Sequence, residues 1–377
     1  MTEDTNTKPP FRADHVGSLL RPAELLAARY AEEPEAPTDE ALQALEDRFI
    51  PEAIALQEQV GLQSITDGEF RRASFRSPVI ARIDGFSTVP QDAVWAARDE
   101  HGHSHPLGDA PVATAKLVRN RGIATDEFVF LKSRTDRTPK ICLPAPSYHC
   151  FYVPPDKTAY PDPDEYIDDL VRIYREELFE LAALGATYVQ FDEVIQAYMC
   201  DENIRSILRD RGDDPEKLSA RYVDLINRII EDRPEDMTVA VHFCRGNSMG
   251  RWVAEGGYDP IAEIVFGGLQ ADALFMEYDS PRAGDFSPLR YVAEDKTVVL
   301  GLVSTKHGEM ETPDDLKRRI DAAARYIPLE RLCLSPQCGF ASRDKGNPIT
   351  VEDEIAKLSL VVDVATDIWG GVLPSRA

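Results

Sequence analysis

One pattern recurs along the chain. A short β-branched or otherwise apolar run ends in polar residues, and a stretch follows in which apolar positions return every three to four residues. Eight such runs occur, at Arg12–Ser18, Ser64–Phe70, Lys140–Ser147, Thr187–Glu193, Thr238–Cys244, Ala273–Asp279, Thr297–Val303 and Leu332–Cys338. Helical periodicity follows most of them, at Asp39–Gln59, Asp164–Leu184, Pro215–Glu231, Pro313–Tyr326 and Val351–Trp369. Eight strand–helix units predict an α/β chain folded as a TIM-type (β/α)8 barrel. Between the second and third runs, residues 80–140 hold no long helical pattern and read as an inserted hairpin or subdomain over the barrel mouth. Residues 1–11 read as a loose N-terminal tail, and 12–377 as a single barrel domain carrying the insertion.

In such a barrel the chemistry gathers where the strands end. HVGS, TDGEF, QFDE, HFC, MEYD and LSPQC each close an apolar run, so all six are expected at one mouth. His242 and Cys244 lie two apart on a strand and therefore face the same way. Glu277 closes the next run and Cys338 the eighth. Imidazole, thiolate and carboxylate are all zinc ligands, and a catalytic zinc needs one position that substrate can take, for which Glu277 is the ligand to be displaced. A buried cysteine is more commonly a small core residue, and Cys142, Cys150, Cys200 and Cys333 are read that way. The alternating His101, His103 and His105 read as a solvated loop. Asp14 and His15 fall at the end of the first strand, where they either line the pocket or form ordinary strand-end hydrogen bonds.

Composition narrows the partners. With 42 basic against 66 acidic residues the formal charge is -24, which disfavours nucleic acid and anionic membrane surfaces. No apolar run approaches the roughly 18 residues of a membrane span, and the N-terminus lacks a signal-peptide pattern, so a cytoplasmic protein is expected. Six cysteines in 377 residues read as thiols or ligands, not as a disulfide framework. A homo-oligomer is the default for a barrel of this kind.

HVGSLLRP, TDGEFRR, FDE, HFCRGN, MEYDSPRAGDF and SPQCGFASRDKGN, in this order, make the chain from Phe11 onward resemble the catalytic C-terminal barrel of cobalamin-independent methionine synthase, and more closely the short stand-alone members of that superfamily. The resemblance implies zinc held by His242, Cys244, Glu277 and Cys338. It also implies that Ser18, Glu69 and Asp192 receive the carboxylate and amine ends of a small amino-acid thiol. Its chemistry is attack of a zinc-bound thiolate on an alkyl electrophile.

Two departures bear on the electrophile. The third run carries Cys142-Leu143-Pro144-Ala145-Pro146-Ser147-Tyr148-His149-Cys150 where the synthase has a tryptophan-containing pterin stretch, and Lys306 followed by His307 stands where the synthase has a catalytic histidine. These point to a superfamily member of the epoxyalkane:coenzyme M transferase type, with Lys306 or His307 supplying the proton to an opened epoxide and Arg71, beside Glu69, meeting the sulfonate. Arg72, Arg76 and Arg245 are further candidates for that anion, although a single arginine is more commonly a structural ion pair. Methyl transfer to homocysteine is the alternative. A non-catalytic zinc module is a third reading, disfavoured because the ligands are scattered over three strand ends and not clustered in C-x-x-C pairs.

Overall fold

The computed structural model describes residues 8–32, 34 and 36–373. In chain order its strands are β1 (Ser64–Ile65), β2 (Ile83–Pro90), β3 (Ala96–Arg98), β4 (Ser104–Pro106), β5 (Asp109–Arg119), β6 (Thr138–Pro139), β7 (Ile141–Pro144), β8 (Tyr188–Glu193), β9 (Thr238–Phe243), β10 (Ala273–Glu277), β11 (Thr297–Val303) and β12 (Leu332–Pro336). Strands β7 to β12 form one parallel sheet in sequence order, and β1 runs parallel to β6, the start of the third barrel strand. The ring is completed by residues 12–18, where Ala13 bridges Leu334 and Asp14 N donates to the Leu334 carbonyl at 3.0 Å. The fold is the TIM-type barrel that the eight runs predict. Its sixth strand pairs in register, with Met276 opposite Phe243 and Glu277 opposite Gly301, so strand ends are level at the mouth.

Strand parity sorts the apolar residues. Ala240, Ala273, Phe275, Val299, Cys333, Tyr188 and Val16 fill the barrel interior, while Val239, Val241, Leu274, Met276 and Leu300 pack outward under the helices. The helix Pro163–Ala183 presents Tyr166, Leu170, Ile173, Tyr174 and Leu181 to that outer layer. Its start is fixed by Asp162, whose side chain accepts from Asp164 N, and the last helix, Val351–Trp369, opens with a reciprocal Thr350–Asp353 capping box. No helix among the described residues is long and apolar enough to cross a membrane.

The first two strands have almost no ladder, and buried polar groups hold them instead. Lys140 Nζ lies 3.2 Å from Asp14 Oδ1, both side chains fully buried, and donates to the His15 carbonyl at 2.5 Å. Asp14 also accepts from Ser64 Oγ at 2.7 Å and from the Tyr188 hydroxyl at 2.9 Å. The ammonium sits 4.2 Å from the centre of the Phe275 ring. Asp14 and His15 therefore belong to the closure of the barrel and are not among the residues that line the cavity over the strand ends. Burial, and next the Lys140 charge, push His15 down to about 4, so it is neutral there.

The insertion is an antiparallel ribbon of β2 and β5 with a small β3–β4 hairpin between them. Arg98 and Trp252 exchange backbone hydrogen bonds of 2.6 and 3.1 Å, tying the hairpin to the loop after β9. Trp95 packs on Phe151 and Tyr152 with ring centres 4.9 and 5.6 Å away. At the foot of the ribbon Glu177, fully buried, accepts from Ile123 N and Ala124 N at 2.7 Å each and from Arg119. His103 and His105 hydrogen-bond Asp99 at the surface, as expected of a solvated loop. Of the expected tail, residues 1–7 lie outside the described residues; Phe11 is buried and Arg12 N donates to the Val372 carbonyl at 2.7 Å.

Removing one member of a buried ion pair leaves the other uncompensated. Lys140→Met is expected to cost about 3–5 kcal/mol, read as a lower urea midpoint, with partial recovery in the Asp14→Asn, Lys140→Met double variant. A wild-type midpoint for the single variant would deny the pair its closing role.

Candidate active site

Two of the polar strand ends converge on a point. His242 and Cys244, on and just past β9, and Cys338, two residues past β12, offer ligand atoms that lie within 4.8 Å of one another, and all three residues are buried. The two sulfurs are 3.4 Å apart. Both ring nitrogens of His242 are buried without a hydrogen-bond partner. Cys338 is drawn well below the usual thiol value, first by the hydrogen bond from Cys244 and also, against its burial, by His242. Cys244 is correspondingly raised by that same bond and by burial.

The loops that carry these groups are pinned by asparagines. Asn247 Nδ2 donates to the Gly339 carbonyl at 3.0 Å, and Asn347 Nδ2 donates to the Thr305 carbonyl at 2.9 Å. Gly339 permits the approach of the first strand, since a Cβ there would lie 1.9 Å from Ser18 Oγ. Ser18 Oγ in turn accepts from Ala341 N at 3.3 Å.

A cavity of about 430 Å³ opens over the sulfurs. Ser18, Glu69, Asp192, His242, Cys244 and Cys338 line it, together with aromatic side chains that include Phe75, Tyr148, Tyr152 and Tyr198 and with the charged Arg76, Arg343, Asp344 and Lys345. Glu69 and Asp192 are two buried carboxylates in one space. Asp192 is pushed up to about 7 by burial and then by the charge of Glu69, and Glu69 is raised by burial in spite of Arg72.

Glu277, the expected displaceable ligand, is fully buried and is not one of the group of three, with Oε1 accepting from Lys306 Nζ at 2.8 Å and Oε2 from Arg245 N at 3.0 Å. Lys306 is buried and also lies 3.7 Å from Asp279, so its ammonium is held between two carboxylates and does not line the cavity. His307 is exposed and is likewise absent from the cavity wall.

Arg71 corrects the sequence reading outright. It ion-pairs with Glu46 at 3.4 Å and with Asp47, lies over the Phe130 ring, and lines a separate outer cleft. The expectation placed Arg71 on the same strand-end face as Glu69, at the close of the Ser64–Phe70 run. The strand stops at Ile65, and Gly68 and Glu69 take positive φ values of 69° and 60°, so the alternation is broken. The neighbouring Arg72 is the one turned inward, 3.4 Å from Glu69 and 3.5 Å from Glu127. Arg343 and the tyrosines of the cavity wall were not singled out; the SRDKGN motif was the available signal for the arginine, whereas Tyr148 and Tyr198 lie on short helices at 147–151 and 195–198 that periodicity does not reveal, and Tyr152 directly follows the first of these.

Comparison with known proteins bears on this arrangement. Residues 12–367 match the family described as the catalytic domain of cobalamin-independent synthase. The chain is 39% identical over 365 residues to the uncharacterised protein YxjH of Bacillus subtilis, covering 96% of each chain. It is 23% identical over 331 residues to a methionine synthase of Pyrococcus abyssi, covering 88% of this chain and 86% of that one. A crystal structure of a Listeria monocytogenes protein, provisionally named a vitamin-B12 independent methionine synthase, superposes with a TM-score of 0.75 at 30% identity over 97% of this chain and 100% of that one. On a match that runs almost from end to end of the barrel, the chain belongs to the cobalamin-independent methionine synthase catalytic-domain family.

Proposed function

We propose that this chain is a thiol methyltransferase that delivers a methyl group to the sulfur of an amino-acid thiol of the homocysteine type. One observation carries the reading: a single cavity presents a His–Cys–Cys cluster and, beside it, the buried carboxylates Glu69 and Asp192. A thiol that also bears an ammonium matches both halves. The name of the Pyrococcus abyssi relative, methionine synthase, points the same way.

The donor set suits a zinc ion. Two sulfurs 3.4 Å apart and an imidazole with both nitrogens unpartnered are a soft, pre-gathered set that costs little to deprotonate in the metal's presence. His242, Cys244 and Cys338 would hold it, and zinc, when bound, makes a substrate thiol available as thiolate near neutral pH. The remaining work falls to the chain's own groups. Glu69 and Asp192 orient the ammonium end, and Ser18, fixed against Ala341 N, receives the carboxylate end. Lys306 keeps the Glu277 and Asp279 charges compensated beside the cluster. That the cluster opens on a cavity favours a catalytic over a closed structural site.

Epoxide opening by coenzyme M is the weaker reading on this geometry. A sulfonate beside the sulfurs would face Glu69 and Asp192; Arg71 is committed to Glu46 and Asp47 outside the cavity and Arg72 to Glu69 and Glu127, and of the four arginines considered Arg76 alone lines the cavity. Lys306, the assigned acid, is held by two carboxylates.

Purified, zinc-loaded protein given homocysteine and a methyl donor should form methionine, read by mass spectrometry; consumption of an epoxide with coenzyme M, and no methionine with any methyl donor, would reverse the order of the two readings. Cys338→Ala is expected to lose stoichiometric zinc and methyl transfer together, checked by metal analysis of the folded variant. Full zinc retention would remove Cys338 from the ligand set.

The carboxylates add a pH signature. Both are raised, so both carry more protons in the free protein as pH falls, and an incoming ammonium must displace those protons. KM for the amino thiol should rise as pH drops through about 7 and level off above it. Asp192→Asn should raise KM about tenfold or more, with the inflection shifted, while an analogue lacking the amine should bind the variant no worse than wild type.

A further inference from the structure

Arg72 stands between two carboxylates, only one of which reaches the cavity. Glu69 and Arg72 belong to the turn after β1, where Arg72 N donates to the Glu69 carbonyl at 3.2 Å. Glu127 comes from the helix Thr125–Lys132, which buries it beside Phe128 and Leu131. Arg72 Nη1 lies 3.4 Å from Glu69 Oε2 and Nη2 lies 3.5 Å from Glu127 Oε2, with all three side chains at most 5% exposed. These are ion-pair distances without a hydrogen bond. The guanidinium is tied instead through Nη2 to the Cys142 carbonyl at 2.8 Å, while its Nε and Nη1 and Glu127 Oε2 have no hydrogen-bond partner among the described residues. Glu69 lines the cavity with the sulfurs, Glu127 lines the outer cleft, and Ala73 lines both.

A guanidinium held midway gives each carboxylate only part of a counter-ion, and in a buried setting that sharing is little screened. The neighbouring charges do not make up the difference. Asp67 adds a further buried carboxylate, with Oδ1 accepting from Glu69 N at 2.8 Å and Oδ2 unpartnered among the described residues, and Asp192 faces Glu69 in the same cavity. Arg21 is spent on the carbonyls of Leu19, Ala341 and Glu69, and on the cleft side Arg82 pairs with Asp126 and Arg71 with Glu46. We infer that Glu127 is a positioning residue for amine recognition: by holding Arg72 from the far side it leaves the Glu69 carboxylate partly uncompensated and open to an incoming ammonium. Without that hold Arg72 closes on Glu69. Loss of the Glu127 charge acts in the same direction, since it takes one anion from the buried group that an ammonium meets. The bearing on amine recognition rests on the amino-thiol reading; the hold on Arg72 does not.

The Glu127 charge can be removed without touching the cavity wall. Zinc-loaded protein is titrated calorimetrically with homocysteine and with 4-sulfanylbutanoate, the same thiol without its amine, at a pH above the value of about 7 to which burial pushes Glu127. Glu127→Gln is expected to weaken homocysteine about fivefold and to leave 4-sulfanylbutanoate unchanged, with Glu127→Asp in between. Asp126→Asn, which removes the neighbouring charge paired with Arg82, should leave both ligands unchanged. In a crystal structure of the Glu127→Gln variant, Arg72 should have closed on Glu69 to a hydrogen bond of about 2.9 Å. Where the wild type prefers homocysteine, equal weakening of both thiols, an unmoved homocysteine affinity, or the same loss in Asp126→Asn would overturn the role of Glu127. Arg72 left in place would overturn it in every case. If Arg72 closes on Glu69 in the variant while the wild type binds the two thiols equally, the hold on Arg72 stands and the amino-thiol reading fails.

Discussion

A buried charge closes the barrel. Six strands, β7 to β12, are held by an ordinary parallel ladder, but the ring must also pass through residues 12–18 and the two residues of β1, where there is little ladder to share. Lys140, from the third barrel strand, reaches Asp14 and the His15 carbonyl of the first, and Asp14 takes hydroxyls from Ser64 of the second and Tyr188 of the fourth. One carboxylate therefore joins four strands. Such a pair is costly to bury, and its return is positional, because only a closed ring puts Ser18 and Glu69 opposite His242, Cys244 and Cys338.

Above that closure the mouth gathers charges of both signs around one cavity. The carboxylates Glu69 and Asp192 share it with the sulfurs, Arg72 pairs with Glu69 as a buried counter-ion, and Arg76, Arg343, Asp344 and Lys345 also line it. In a chain with a formal charge of -24, cations left to face a cavity contrast sharply with the rest of the surface. Low-dielectric walls strengthen these charges, so the cavity selects a ligand by charge as well as by shape.

The parts of this arrangement that were legible in the sequence share a physical reason. Barrel strands β8 to β12 are buried on both faces, so they stand out as apolar runs, and residues at their ends inherit a defined direction; His242 with Cys244 is such a case. Legibility failed where the backbone left the strand. Arg71 was read by alternation across a segment that turns at Gly68 and Glu69, and that turn sends Arg71 to an outer cleft and Arg72 inward. Asp14 and His15 were legible as strand-end residues, but their partners Lys140 and Tyr188 lie more than a hundred residues away, and no local pattern announces a long-range pair. The insertion was visible as a lack of helical period, whereas its hold on the mouth depends on backbone bonds between Arg98 and Trp252 that any side chains could make.

At Glu277 the strand register sets the depth of the side chain and its partners set the orientation. The sequence puts a carboxylate at the end of β10, level with the cluster, and its depth follows from the register with Gly301. Which way the carboxylate turns depends on competition for its two oxygens. Lys306 Nζ takes one at 2.8 Å and the Arg245 amide takes the other at 3.0 Å, and both donors come from the neighbouring loops after β11 and β9. Any other partner shares these oxygens with a full ammonium and an amide in a fully buried setting, where the ammonium's attraction is least screened. Lys306 therefore governs Glu277 through charge, and Asp279, 3.7 Å from the same ammonium, limits how far that ammonium can be drawn toward Glu277 alone.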